Sequence, residues 1–72
     1  MALRKIHETR VGTKCAVRIY RNPEFDEYVV KVIVNGRVQG GKEGGAFESD
    51  KSAARGTAAA LVRRLRAQRS CR

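Results

Sequence analysis

Apolar residues recur at helical spacing in the last third of the chain, residues 49–68. At about 100° per residue, one side of this segment carries a narrow apolar stripe of Ala54, Ala58, Leu61 and Leu65, flanked by Thr57 and Val62. The roughly opposite side carries Arg55, Ala59, Arg63 and Arg66 and has no acidic residue. The pattern predicts an amphipathic helix with a buried apolar face and a basic face toward water.

The start of this segment also suits a helix. Ser49 is placed to cap the first turn through its hydroxyl, and Asp50 puts a negative charge where the helix dipole favours it. Gly56 lies off the apolar stripe, and a glycine inside a helix costs about 1 kcal/mol relative to alanine. Either another backbone approaches Gly56 closely or the helix tolerates this cost, and we expect tolerance.

Upstream of the helix, side chains alternate with the period of two that is typical of strands. In residues 14–21, Cys15, Val17 and Ile19 share one face, and basic and aromatic side chains share the other. This pattern predicts a half-buried strand. Asn22 and Pro23 then supply turn chemistry, so the chain is expected to reverse there.

A second strand is predicted over residues 25–34, which are rich in β-branched and aromatic side chains. Asn35-Gly36 follows, and this dipeptide favours a two-residue type I′ hairpin turn because both residues tolerate positive φ. Such a turn would place Ile33 opposite Val38. A third strand is therefore predicted to begin near Arg37.

The third strand is predicted to be irregular. It would pass through four glycines before residue 48, which indicates a bulge or a loose loop at a sheet edge. Phe47 is expected to return to the core just before the helix. Residues 1–12 fit a short helix or a loose basic arm equally well.

Together these segments predict one small α+β domain. We expect a three-stranded antiparallel sheet in the order β-β-β-α, with one face covered by the C-terminal helix. The expected parts are a basic arm (1–12), the sheet (13–48), the helix (49–68) and a tail (69–72).

The length and the cysteines narrow the class of protein. A chain of 72 residues has room for one small core. No apolar run is long enough to span a bilayer, and no secretory signal begins the chain, so we expect a cytoplasmic protein without a membrane partner. The two cysteines lack Cys-x-x-Cys spacing and a histidine cluster, which argues against a disulfide scaffold and a zinc site. We expect reduced thiols, with Cys15 in the core and Cys71 exposed.

The charge is large and unevenly placed. The net charge is +9, made up of +5 in residues 1–22, −3 in residues 23–50 and +7 in residues 51–72. Eleven of the sixteen basic residues are arginine, whose planar guanidinium suits bidentate phosphate contacts. Nucleic acid is the partner that such a surface favours, although an acidic protein patch would also bind it.

Residues 28–65 (YVVKVIVNGRVQGGKEGGAFESDKSAARGTAAALVRRL) resemble the carboxyl-terminal half of the double-stranded RNA-binding domain. That family has an alternating valine strand, an Asn-Gly turn, a glycine-rich third strand and a lysine-led, alanine-rich helix. The resemblance implies a sheet-plus-helix layout and phosphate contacts from the start of the helix. Of the family's helix-opening lysines, Lys51 matches and Arg55 is displaced by one position.

A three-stranded sheet backed by one helix also resembles the DNA-binding arm of some phage integrases and the plant AP2 domain. That likeness implies a basic outer sheet face laid in the major groove. Arg18 is a candidate for such a contact, and Tyr20 is the best candidate for stacking on a base. The nucleic-acid-binding residues predicted from the sequence are Lys51, Arg55, Arg63, Arg66, Arg18 and Tyr20.

No pattern in the sequence predicts catalysis. There is no carboxylate pair at a defined site, no nucleophile with a base, no phosphate-binding loop and no metal cluster, so we expect neither an enzyme nor a cofactor. The expected function is that of a small module that contacts the phosphate backbone of duplex RNA or DNA with its arginine-rich helix. The alternatives are a protein-interaction or inhibitor domain that binds an acidic protein surface, and a solvated helix face that needs no partner. We expect a monomer or weak dimer, with the strand at 14–21 as the more favourable edge.

Overall fold

The architecture is an antiparallel sheet with one C-terminal helix on one face. The computed structural model describes residues 3–39 and 45–71. Its elements, in chain order, are β1 (Arg4–Val11), β2 (Cys15–Asn22), β3 (Glu27–Val34), β4 (Arg37–Val38), β5 (Ala46–Glu48), α1 (Lys51–Arg66) and a terminal 3₁₀ turn (Arg69–Cys71). The long strands lie in the order β1-β2-β3, and the short strands β4 and β5 both pair with β3. The fold is therefore α+β.

The strand order corrects the expected β-β-β-α arrangement. Residues 4–11 form a full strand along the whole of β2, from Arg4 opposite Arg21 to Val11 opposite Cys15. The predicted short helix or loose arm over residues 1–12 is wrong. The sheet has five strands in place of three, and β1 rather than β2 forms its edge.

The sequence of β1 conceals the strand for two physical reasons. First, Lys5 pairs with Tyr20 and His7 pairs with Ile19, so Ile6 is an extra residue in a β-bulge that interrupts the period of two. Second, the first half of β1, from Arg4 to His7, is exposed, and Val11 is the residue of this strand that is buried. A strand that buries so little of its length shows little apolar alternation.

The hairpin turns follow the predicted chemistry. Between β2 and β3, the Asn22 side-chain oxygen accepts a hydrogen bond from the Glu24 backbone N–H at 3.1 Å. Between β3 and β4, Asn35 and Gly36 have φ of 54° and 79°, as a type I′ turn requires. Ile33 lies opposite Val38 and Val34 opposite Arg37, which is the pairing that a two-residue turn produces.

The predicted third strand is divided into two short pieces on the outer edge of β3. β4 pairs with the end of β3, and β5 pairs with its first half, with Phe47 opposite Val29. Gly45 precedes β5 with φ of 122°, and a Cβ there would lie 2.9 Å from the Val30 carbonyl oxygen. Glycine is therefore required where the chain rejoins the sheet. The other glycines of this segment, 40, 41 and 44, lie outside the described residues.

The main core lies between α1 and one face of the sheet. α1 buries Ala54, Ala58, Val62 and Leu65, which pack with Val11, Cys15, Val17, Ile19 and Val30 from the strands. Leu61 is only partly buried at the margin of this cluster. Three of the four residues predicted for the buried stripe are thus buried, and Val62 takes the place assigned to Leu61.

The helix begins slightly later than the sequence predicts. Its N-cap is Asp50, whose side chain makes no capping hydrogen bond, so the predicted capping role of Ser49 is wrong. The Asp50 backbone carbonyl still accepts the first helical hydrogen bond, from Ala54 at 3.0 Å. Arg63, Arg64 and Arg66 lie in the last turn, where the helix dipole favours positive charge.

A disulfide joins the two ends of the core. Cys15 at the start of β2 is bonded to Cys71 in the terminal 3₁₀ turn, 56 positions away in sequence. Cys15 is buried as predicted, but Cys71 is 1% exposed and is not a free tail residue. The expected reduced thiols are therefore wrong. The cytoplasmic location, which was predicted from the hydropathy pattern, stays a prediction.

The sheet face opposite α1 carries a second, smaller set of buried residues. Ala16, Val29 and Ile33 are buried there although no helix in the described part of the chain covers them. Phe47 belongs to this face because it pairs with Val29, and it is 57% exposed. The prediction that Phe47 returns to the core is wrong. We call this surface the open sheet face.

Candidate nucleic-acid interface

Three of the predicted arginines line one groove between α1 and β1. Arg55, Arg63 and Arg66 form its helix side, and His7 and Thr9 form its strand side. The groove has a volume of about 640 Å³. Its apolar lining includes Ile19, Ala58 and Val62, which are all buried. We call this feature the cationic groove.

The helical period explains why these arginines meet the strand. At about 100° per residue, Arg55 and Arg66 lie about 20° apart around α1, and Val62 lies only about 20° from Arg55 on the other side. Arg55 and Arg66 therefore flank the buried stripe. Arg63 lies about 80° further round the helix from Arg55, on the side roughly opposite the stripe, as the sequence pattern predicted. This flank of the helix meets the exposed half of β1.

The arginines of the cationic groove have no carboxylate partner among residues 3–39 and 45–71. The ion pairs in those ranges join Glu8 to Lys5 and to Arg18, and Asp26 to Arg21. α1 itself contains no acidic residue. The side chains of all three arginines are exposed, so their charge is available to an external anion.

The charged row has a definite length. From Arg55 to Arg66 the helix rises about 17 Å, at about 1.5 Å per residue. Lys51 lies a further turn toward the helix start and is exposed. It extends the row but does not line the groove.

The other two predicted residues, Arg18 and Tyr20, lie on the open sheet face. Arg18 pairs with Glu8 on β1, with 2.6 Å between Arg18 Nε and Glu8 Oε1, and its Nη1 donates to the Tyr20 hydroxyl at 3.4 Å. Lys31 stands over the Tyr20 ring, with Nζ 5.9 Å from the centroid. The sequence-predicted set is therefore divided between two faces of the sheet.

These contacts alter two ionisable groups on the open sheet face. The hydrogen bond from Arg18 lowers the pKa of Glu8, and the charge of Lys5 adds to this effect while partial burial opposes it. The Tyr20 hydroxyl and the Glu8 carboxylate raise the pKa of Arg18. The Arg18 guanidinium is thus partly neutralised by a carboxylate of the protein itself. In the cationic groove, in contrast, no such internal pairing occurs among the described residues.

Two residues of the groove were not predicted as site residues. They are His7 and Thr9 on β1. His7 Nε2 and Thr9 Oγ1 lie 3.2 Å apart, on the same face of β1 as Val11. The signal in the sequence was that His7, Thr9 and Val11 alternate with a period of two. That period indicates a shared face only once residues 4–11 are known to form a strand.

Among residues 3–39 and 45–71, neither a metal site nor a membrane span is found. Within the ranges that the structure covers, no three histidine, cysteine, aspartate or glutamate side chains gather as metal ligands would. In the same ranges, no helix has the length and apolar character needed to cross a membrane.

Comparison with known proteins identifies no relative. No protein-family model, curated protein or solved structure matches the chain.

Proposed function

We propose that the protein is a small nucleic-acid-binding module whose cationic groove lies along the phosphate backbone of duplex RNA or DNA. The observation that supports this most is the alignment of Arg55, Arg63 and Arg66. They are exposed, line one groove along a single helix and have no carboxylate partner in the described part of the chain. Guanidinium groups in such a row suit phosphate oxygens because each presents a fixed fork of donors.

The length of the row fits a nucleic-acid strand. Phosphates of one strand are spaced by about 3.4 Å along the duplex axis, so a helix that runs for about 17 Å passes several of them. Lys51 would extend this contact by one turn. His7 and Thr9 supply further hydrogen-bonding groups on the opposite wall of the groove.

The chemistry of the cationic groove predicts that it binds duplexes without recognising their base sequence. Contacts to phosphates position a protein on the duplex, whereas contacts to base edges in the grooves of the duplex specify a sequence. The polar side chains of the cationic groove are its arginines, His7 and Thr9. Among the described residues that line the groove, none is an asparagine or a glutamine. Binding should therefore depend strongly on salt and weakly on sequence.

The proposal is tested by removing the three charges together. Arg55→Gln, Arg63→Gln and Arg66→Gln are combined in one variant, and its binding to a labelled duplex DNA and a labelled duplex RNA is measured by fluorescence anisotropy over a salt series. Each lost contact to DNA should reduce the slope of log affinity against log salt by about 0.9. The triple variant should therefore lose roughly 2 to 3 from that slope and bind all sequences more weakly.

A matched control removes the same charge elsewhere. Arg37, Arg64 and Arg69 are exposed and do not line the cationic groove, so their triple glutamine variant should keep most of the slope. Thermal unfolding of both variants checks that the fold is intact. Equal losses in the two variants would mean that the net charge, and not the groove, binds nucleic acid. Absence of duplex binding at low salt would reject the proposal in favour of an acidic protein partner.

A further inference from the structure

The open sheet face carries a row of aromatic and apolar side chains that the cationic groove does not explain. Tyr20 on β2 lies opposite Val29 on β3, and Val29 lies opposite Phe47 on β5. Tyr20 and Phe47 are therefore two strand spacings apart, about 10 Å. Val29 between them is buried, Tyr20 is half-buried and Phe47 is 57% exposed.

Phe47 lies on a strand, yet more than half of its surface is exposed to solvent. An aromatic ring on a strand contributes stability by burying its faces, yet most of this ring faces water. Phe25 is also exposed, but it lies in the turn between β2 and β3 and not on the sheet. Phe47 is thus the large apolar group that a ligand of the open sheet face would meet.

Charge on the same face determines which ligand fits. The strand registers place Lys5, Arg10, Arg18 and Lys31 on this face, together with the acidic residues Glu8 and Glu27. Cations therefore exceed anions by two on the described strands of this face. Lys31 stands over Tyr20 and is the neighbour of Arg18 across the strand pair, so positive charge borders the aromatic row.

We propose that the open sheet face binds single-stranded nucleic acid, with an unpaired base stacked on Phe47 and the adjoining phosphates near Lys31 and Arg18. Aromatic rings on a sheet surface with cations beside them are suited to unpaired bases, because every base has a flat face and every nucleotide has a charge. A base inside a duplex is already stacked and is not available to such a ring. This site is separate from the cationic groove, which lies on the helix side of the sheet.

The proposal does not require the duplex function. Phe47 and the arginines of the groove lie on opposite faces of the sheet, so their ligands need not compete. A nucleic acid with both a duplex part and an unpaired part could bind the cationic groove and the open sheet face together. Either surface can also bind its ligand alone. The two proposals therefore fail independently.

The test separates stacking from phosphate contact. A labelled oligothymidylate and an abasic oligonucleotide of the same length carry the same charge, and only the first has bases. Wild-type protein should bind the first more tightly. Phe47→Leu keeps an apolar side chain beside Val29 but removes the aromatic face. It should weaken binding to oligothymidylate by about 5- to 150-fold, the range that corresponds to the loss of one stacked base. Binding to the abasic strand should change little.

Two controls make the result decisive. Phe25→Leu removes the other exposed phenylalanine and should change neither affinity, while Phe47→Tyr keeps a ring and should retain binding to oligothymidylate. The proposal is wrong if Phe47→Leu binds oligothymidylate like wild type, or if it weakens both ligands equally. It is also wrong if sedimentation shows that Phe47→Leu instead abolishes a dimer. If the triple glutamine variant of the groove keeps the Phe47-dependent binding, the open sheet face stands even where duplex binding is absent.

Discussion

Gly56 is exposed in the middle of α1, and a Cβ added there would meet no atom within 4 Å. No backbone approaches it closely, so the helix tolerates this glycine, as expected from its place off the apolar stripe. Gly56→Ala should raise the free energy of unfolding by about 0.5 to 1 kcal/mol, because alanine loses less backbone entropy in a helix. Urea unfolding measures this difference.

Gly45→Ala is the matched comparison for that prediction. The φ of 122° and the contact of 2.9 Å with the Val30 carbonyl oxygen make any side chain at this position strained, so the same substitution should destabilise the protein. If Gly56→Ala also destabilised it, the helix would not be exposed at this position, and the assignment of the helix faces would need revision.

Glu8 gives the protein a specific dependence on pH. The hydrogen bond from Arg18 lowers the folded-state pKa of Glu8 below its ordinary value of 4.5. Its contribution to stability is therefore present above that ordinary value and is lost as the pH falls through the lower folded value. Glu8→Gln should reduce stability near neutral pH and should lessen the further loss on acidification. Thermal midpoints across that range test this.

Glu24→Gln is the control for Glu8. Glu24 lies exposed in the turn between β2 and β3 and makes no ion pair within the described ranges. Its substitution should leave the pH profile of stability close to that of the wild type. Parallel changes in the two variants would show that net charge, and not the bond to Arg18, sets the profile.

At the scale of elements, the disulfide ties the end of the helical segment to the start of β2. It closes a loop of about 57 residues, for which the chain-entropy model gives a stabilisation of about 4 kcal/mol. A small domain has about 5 to 15 kcal/mol in total, so this bond carries a large share. Combined Cys15→Ala and Cys71→Ala should lower the free energy of unfolding by roughly that amount.

Reductant provides the control for this prediction. It should lower the thermal midpoint of the wild type and leave that of the double-alanine variant unchanged. A wild type whose midpoint does not respond to reductant would contradict a stabilising role for the Cys15–Cys71 bond.

The elements differ in how far the sequence predicts them, and burial explains the difference. β2, β3 and α1 each bury or partly bury the apolar residues of one face, so these residues repeat with the period of the element. β1 buries only Val11 at its end and has a bulge at Ile6, so the same rule finds no strand. The sequence pattern did not predict the disulfide, because Cys71 comes next to Cys15 of β2 only when the chain is folded.

The candidate sites show the same division between local and tertiary information. The row of Arg55, Arg63 and Arg66 follows from helical periodicity alone and was predicted. The opposite wall of the groove belongs to β1, so His7 and Thr9 became visible only with the sheet. Phe47 was assigned to the core on its apolar character, but its pairing with Val29 places it on the face that lacks the helix.

At the scale of the whole molecule, the fold brings the two basic ends of the chain together. Residues 1–22 carry a net charge of +5 and residues 51–72 carry +7. β1 comes from the first of these segments and α1 from the second, and the two form the walls of one groove. The arginines of α1 line this groove, whereas Lys5, Arg10 and Arg18 of the first segment lie on the open sheet face. Positive charge from the two ends of the chain is thus carried on both faces of the sheet.

That distribution also bears on self-association, which exposed strand edges promote. β1 is an edge of the sheet along its full length, so the earlier assignment of β2 as the more favourable edge is wrong. β1 carries three basic residues and one acidic residue, and its bulge at Ile6 disturbs the row of free backbone groups. Charged side chains and bulges are features that protect an edge from pairing.

We therefore expect a monomer, or at most a weak dimer, at micromolar concentration and low salt. Two copies paired through β1 would bring cations of both strands together, and salt would screen this repulsion. Any dimer should accordingly become more populated as salt increases, whereas nucleic-acid binding should weaken under the same conditions. Sedimentation velocity at two salt concentrations measures the first effect without a ligand. A stable oligomer at low salt would show that the charges of β1 do not protect the edge, and would require a different interface.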